Sequence, residues 1–208
     1  MTALSSPEAR WSGASSAGCW PKGCCRRRTS RVSYIALPVI LIGRPTHSFR
    51  ANKTYLTGRK VSAVQNAAAV FFREQVEPAF AAKGLQEISY LREGGCRTLL
   101  ISGAPDFLAE PLSSFLQADF LICTRLEAVR QHFSGRIWGI HPYGIAKRQL
   151  LLDVAPRLEI DFLHSRVFAN HHSDAHHMRF FGSATAVNPT CKLRRIARRG
   201  GWEVVYWH

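Results

Sequence analysis

The chain has 208 residues, of which 46% are hydrophobic, and a formal net charge of +14. That length and apolar share suit one folded domain with a sizeable core and exclude a wholly disordered chain. The charge is lopsided: residues 1–60 hold 11 Lys/Arg and one acid, Glu8, whereas residues 61–208 hold 17 Lys/Arg and 13 acids. Basic charge gathered at one end, outside the periodic part of the chain, argues against nucleic acid as the main partner. The six cysteines (19, 24, 25, 96, 123 and 191) include no CxxC pair with zinc spacing. Cys96 and Cys123 sit at or in apolar runs, so the thiols read as reduced, in a cytoplasmic protein.

Residues 1–31 mix Ser, Gly, Ala, Arg, Cys and Trp with neither a period of 2 nor one of 3.6. They read as a basic tail with no folded element: either a disordered or targeting leader, or residues that belong to no natural domain. Residues 32–43 (VSYIALPVILIG) form an apolar run of a dozen residues with Pro38 inside it. A spanning helix needs about 20. The run reads as buried or partner-facing, with membrane contact by residues 32–60 as the second reading.

Residues 61–83 repeat Val61, Val64, Ala68, Phe71, Phe72 and Val76 at helical spacing, with Pro78 expected to kink or end the run. Gly84 is the expected stop before a second helix over residues 85–92. From there short apolar runs alternate with helical stretches. Strands are expected at 97–102, 119–124, 165–169, 185–187 and 203–207, with helices at 105–116, 144–154 and 189–199. A hairpin centred on Gly135 is expected within 126–140. This alternation predicts an α/β fold, a Rossmann-like and mainly parallel sheet with helices on both faces. In such sheets chemistry gathers at the carboxyl ends of the strands. That rule selects Ser102, Thr124 and the loop from Asn170 to Asp174.

Ser102 and Gly103 offer a hydroxyl and a backbone N–H to a phosphate oxygen, although Ser-Gly after a strand is commonly just a turn. Lys147, early in its helix, could neutralise a transferring phosphoryl group, or be an ordinary solvated lysine. Asn170 and Asp174, four residues apart, supply oxygen donors suited to a hard cation such as Mg²⁺. His171, His172, His176 and His177 add a zinc or nickel alternative, which the adjacent pairing of the rings disfavours.

Five segments, in order, carry a family resemblance: SGAPDFL (102–108), ADFLICTRLE (118–127), GIAKRQLL (144–151), ANHHSDAHHM (169–178) and AVNPTCKLRRIARRGGWEVVYW (186–207). Together they resemble the phosphoserine-phosphatase-like branch of the haloacid dehalogenase superfamily, from about residue 55 to the end. The resemblance implies an Mg²⁺-dependent hydrolase of small phosphorylated substrates. It assigns phosphate binding to Ser102 and Gly103, a catalytic charge-neutralising role to Lys147, and metal ligation to Asn170 and Asp174. It also implies a helical cap over residues 32–83 and an α/β core over 84–208.

Two departures stand out. The family's late loop has an acid at its first ligating position, and here Asn170 stands there, which implies weaker Mg²⁺ binding. The family's nucleophile is an aspartate in a DxDxT motif on the first, central strand. This chain has five aspartates (Asp106, Asp119, Asp153, Asp161 and Asp174), none in its first 105 residues and none in a DxD. The first central strand is therefore expected to be missing or replaced, and covalent catalysis to be impaired. A non-catalytic phospho-ligand or partner-binding module, or a basic surface binder, is the competing expectation.

Overall fold

The computed structural model describes residues 2–4 and 53–207. The chain opens with a short strand, β1 (Thr2–Leu4). After a 3-10 turn at Thr54–Leu56, helix α1 (Val61–Phe71) runs into a π-helical turn (Phe72–Val76) and a 3-10 turn (Glu77–Ala79). The single helix expected over 61–83 is thus wound three ways in succession. Pro78 has no N–H to donate into the ladder and its ring crowds the preceding turn, so regular α winding stops ahead of it.

Helix α2 (Ala82–Glu93) follows. It contains Gly84, which the sequence had marked as a stop. A Cβ at Gly84 would lie 3.1 Å from the Trp207 ring, so close packing, not termination, explains this glycine. Next come β2 (Arg97–Pro105), α3 (Asp106–Phe115), β3 (Phe120–Val129) and β4 (His132–Trp138). The rest of the chain alternates: α4 (Ile145–Leu158), β5 (Arg166–Ala169), a 3-10 turn (His172–Asp174), α5 (Ala175–Met178), β6 (Ser183–Val187), α6 (Cys191–Arg199) and β7 (Glu203–Val205).

The β3–β4 hairpin turns at Arg130 and Gln131, both with positive φ (46° and 67°), between the closing pair Val129 and His132. Gly135 is not its centre, as the sequence suggested; it lies inside β4. Its own positive φ of 81° and the Thr54–Thr57 turn packed against it leave no room for a side chain. Two-residue turns of this kind favour Asn-Gly or Asp-Gly, and Arg-Gln gives no such signal. The chain just before α1 runs along the outer edge of β4: Gly58 N–H donates to Phe133 O, and Phe133 N–H to Arg59 O, each at 2.9 Å.

The sheet has the order β4-β3-β2-β1-β5-β6-β7. Strands β2 and β3 pair in parallel, as do β5, β6 and β7; β1 is antiparallel to both β2 and β5, and β4 to β3. The α/β class and the mainly parallel sheet are as the sequence indicated. The central slot is filled by Thr2–Leu4, from a stretch expected to form no element; residues 32–43 lie outside the described residues. Because β1 runs antiparallel to both neighbours, β2 and β5 point the same way and share a carboxyl rim. The carboxyl end of β1 points to the opposite rim: Thr2 pairs with Leu99, and Leu4 with Arg97.

One face of the sheet (Leu99, Ile101, Val167, Ala169, Ala184 and Ala186) packs on Leu151 of α4, Met178 of α5 and Leu193 of α6. On the other face Leu100 packs with Leu112 of α3 and with Phe72, and Phe168 packs with Leu91 of α2. Among the described residues no helix is long and apolar enough to cross a membrane.

Gly182, just before β6, is pressed on the Leu163 backbone carbonyl, and its N–H donates to Phe162 O at 2.8 Å. A Gly182→Ala change therefore drives a methyl group into main chain that cannot rotate away. We expect a loss of about 2 kcal/mol or more, read as a lower urea midpoint with an unchanged m value.

Candidate active site

The carboxyl rim of β2 is irregular. Ile101 pairs with Ile122 and Pro105 with Thr124, so Ser102, Gly103 and Ala104 together oppose Cys123 alone. What the sequence marked as a turn after a strand is a bulge within it, a device that re-aims side chains and backbone at sheet rims. The Gly103–Ala104 peptide is clamped at both ends. Its carbonyl accepts from the Thr124 hydroxyl at 2.9 Å, and its N–H donates to Ser102 Oγ at 3.1 Å.

A loop ahead of α4 closes on this bulge. A Cβ at Gly103 would meet Pro142 O at 3.1 Å and His141 Cε1 at 3.4 Å, which explains why glycine stands there. His141 is buried, stacks on Tyr143 with ring centres 6.2 Å apart, and holds Thr124 Oγ1 through Nδ1 at 2.7 Å. Tyr143 in turn meets the His171 ring at 6.4 Å. Contacts thus run continuously from the Ser102 bulge to the loop after β5.

Lys147, on the first turn and a half of α4, is no solvated lysine. It is only 6% exposed, and its Nζ donates to Asp174 Oδ1 at 2.8 Å, with Asp174 1% exposed. Burial alone would raise the Asp174 carboxyl. The Lys147 ammonium and its hydrogen bond outweigh that and hold the group below the usual carboxylate range. Asn170 closes β5, is half-buried, and accepts Thr190 N–H at 2.9 Å through its main-chain oxygen. The fold therefore joins Lys147 directly to Asp174, and sets Ser102, Gly103, Asn170 and the pair on one rim.

Sequence reasoning passed over His141 and Tyr143. The signal was HPYG immediately before the Lys147 helix, a tight entry that presents rings at the rim. The four later histidines sit in different surroundings, with only His171 and His172 in ring contact among those described, at 4.1 Å. His171 Nδ1 is engaged by Ser173 Oγ at 2.8 Å, His176 is exposed, and His177 is 1% exposed with a buried Nδ1 that has no hydrogen-bond partner among the described residues. Among the described residues no group of three or more His, Cys, Asp and Glu could hold a metal ion. For Mg²⁺ the two predicted ligands supply one carboxylate, Asp174, already bound to an ammonium, and one amide, Asn170. Hard cations of this kind take an octahedral set of oxygens with strong carboxylate support, so this donor set alone does not fit a resident Mg²⁺. The buried thiols of Cys96 and Cys123 are pushed up to about 11 by burial, which makes both poor nucleophiles.

The ion pair makes a direct test. Asp174→Asn strands a buried ammonium and should cost about 3–5 kcal/mol, while the double change Lys147→Met with Asp174→Leu should recover most of that loss in urea denaturation. Acid should weaken the fold through two groups. Burial pushes the His177 imidazole down to about 3, against the pull of Asp174. Between about pH 6.5 and 3 the unfolded chain takes up a proton there that the folded one refuses, so stability falls as pH falls. The Asp174 contribution is fully present above about pH 4 and is lost only below it, in the same direction. His177→Phe should flatten the slope from pH 6.5 to 4, measured as melting temperature against pH.

Comparison with known proteins agrees with this architecture. The family model described as haloacid dehalogenase-like hydrolase matches residues 16–179. The phosphoserine phosphatase SerB1 of Mycobacterium tuberculosis is 27% identical over 122 residues, covering 58% of this chain and 40% of that protein. The chain thus spans under half the length of that curated relative. A solved structure of a Bordetella pertussis Tohama I protein of unknown function superposes with a TM-score of 0.68 at 17% identity, over 82% of this chain and 87% of that one. A probable phosphoserine phosphatase from Vibrio cholerae gives a TM-score of 0.65 at 14% identity, over 86% and 55%. At such identities the solved structures speak for the fold, while the family model covers more than three-quarters of the sequence. On that match the protein belongs to the haloacid dehalogenase-like hydrolases.

Proposed function

We propose that this chain binds the phosphate of small phosphomonoesters at the β2–β5 rim and, as it stands, hydrolyses them very slowly. The observation that carries this reading is the buried Lys147–Asp174 pair on the same rim as the Ser102–Gly103 bulge. A fixed ammonium and a clamped Ser-Gly backbone suit a doubly charged tetrahedral anion. Ser102 Oγ accepts from Ala104 N–H, so its own proton can be given to a phosphate oxygen, and Gly103 N–H is the second donor. Lys147 neutralises the phosphoryl charge, and Asn170 and Asp174 bound the site on the β5 side. The 53–83 helical segment, packed on α3 and the β3–β4 hairpin through Phe72, Leu56 and Ala68, serves as the cap side of the site, and residues 84–208 as its core.

Low turnover follows from the central strand. Thr2–Leu4 carries no carboxylate and runs antiparallel, so its carboxyl end leads away from the site. Loss of a nucleophile commonly lowers kcat by about 10⁴ to 10⁶. Binding without turnover is the second reading, favoured by the absence of any aspartate before Asp106. Mg²⁺ is held weakly, because Asp174 is committed to Lys147.

Millimolar phosphate or vanadate should raise the melting temperature, and Mg²⁺ alone should move it much less. Ser102→Ala and Lys147→Met should each remove most of the anion effect. Phosphate release from a chromogenic monoester should stay near background. Turnover at a rate typical of enzymes would overturn the slow-hydrolase reading, and no shift with either anion would overturn phosphate binding itself.

A further inference from the structure

A second hollow lies on the face of the sheet away from α4. Its volume of about 530 Å³ is that of a small-ligand pocket, and it shares no lining residue with the rim that carries Ser102 and Lys147. The floor is a row across three strands: Phe168 of β5 stands beside Thr185 of β6, and Thr185 beside Glu203 of β7. Helix α2 forms one wall and the chain after β7 the other. The second wall is fixed in place. The Trp207 ring lies 5.5 Å from the Phe168 ring and packs on Gly84. Its main-chain N–H and carbonyl are both held by the Asn188 side chain, at 3.0 and 2.9 Å.

Polar groups stand at opposite ends of this floor. At one end the Arg166 guanidinium lies over the Phe168 ring at 5.4 Å and gives one N–H to Glu87 at 3.0 Å. A guanidinium has five N–H groups in a rigid fork, so others remain to be given. At the other end Glu203 accepts the hydroxyl of Thr185 at 3.0 Å, and Thr185 is 1% exposed, so the carboxylate is oriented from below. Among the described residues Glu203 has no cationic partner. Lys83 also lines the hollow, which thus holds two cations and two anions and favours a ligand without net charge. Two strand spacings, about 10 Å, separate the backbones of Phe168 and Glu203. An α-amino acid, with both charges on one carbon, is too short to reach across. A flat bicyclic heterocycle with a hydrogen bond of about 2.9 Å at each edge fits that span.

We propose that this hollow binds a guanine-type base. The ring lies on the floor beside Trp207. Its adjacent ring N–H and amino donors pair with the Glu203 carboxylate, and its carbonyl and ring-nitrogen acceptors pair with the Arg166 fork. A carboxylate takes two parallel donors, and a guanidinium matches the two acceptors on the far edge of guanine. Adenine offers Glu203 a bare ring nitrogen where guanine offers an N–H, and so sets lone pair against lone pair.

Tryptophan emission of the full chain, titrated with free nucleosides, tests this with no phosphate group present. Guanosine should quench with a Kd below about 1 mM. Inosine, which lacks the amino donor, should bind at least about tenfold more weakly, and adenosine should not saturate. Glu203 is exposed, so Glu203→Gln should keep its melting temperature while losing guanosine affinity at least about tenfold. Ser102→Ala should bind guanosine as the unaltered chain does. No saturable quenching by guanosine, equal affinity for inosine or adenosine, or undiminished affinity in Glu203→Gln would each overturn the proposal. Loss of binding in Ser102→Ala alone would place the nucleoside at the other rim and overturn it as well.

Discussion

A lysine ammonium and an aspartate carboxylate, both nearly free of solvent, meet at 2.8 Å between α4 and the loop after β5. Neither could remain charged there alone, since taking an isolated ion out of water costs far more than a small domain's whole stability. Each is the condition for the other, and together they bind the helix that follows the hairpin to the last third of the sheet. The consequence reaches the surface. The loop leading into α4 lies over β2, where Pro142 and His141 stand close against Gly103 and leave little space for a side chain.

The sheet's middle poses a different problem. Interior strands need partners on both sides, because buried N–H and C=O groups left unpaired are costly. Three residues at the chain's start answer this need between β2 and β5. Their direction, antiparallel to both neighbours, keeps the backbone paired while the carboxyl end of the strand faces the far rim. Among the described residues the slot is filled by a strand that carries no acidic side chain.

Much of this was legible beforehand, for physical reasons. The apolar runs of β2, β3 and β5 showed as strands because both faces of a covered sheet must be apolar, and the Leu193, Ile196 and Ala197 stripe of α6 showed at helical period. The family motifs assigned Ser102, Lys147, Asn170 and Asp174 to one site; in the fold Lys147 meets Asp174, Ser102 lies in the bulge near the end of β2, and Asn170 follows β5. Three things were hidden. Thr2–Leu4 is too short to have a period, and its pairing is entirely long-range. The Arg130–Gln131 turn lacks the residues that normally tolerate positive φ, so Gly135 drew the attention instead. The contact of His141 with Thr124 was hidden too, because the loop ahead of α4 meets β3 only in the folded chain. Gly84 teaches the same lesson: a glycine can be chosen for a tryptophan more than a hundred residues away.

The strip of chain from Gly58 to Val61 along β4 has a consequence for colloidal behaviour. Outer strands with free amides and carbonyls recruit like strands from other molecules and so seed fibrils. Here Arg59 and Lys60 occupy that margin and add positive charge to it, while the opposite margin, β7, is only three residues long. Among the described residues neither border offers a long template for strand stacking.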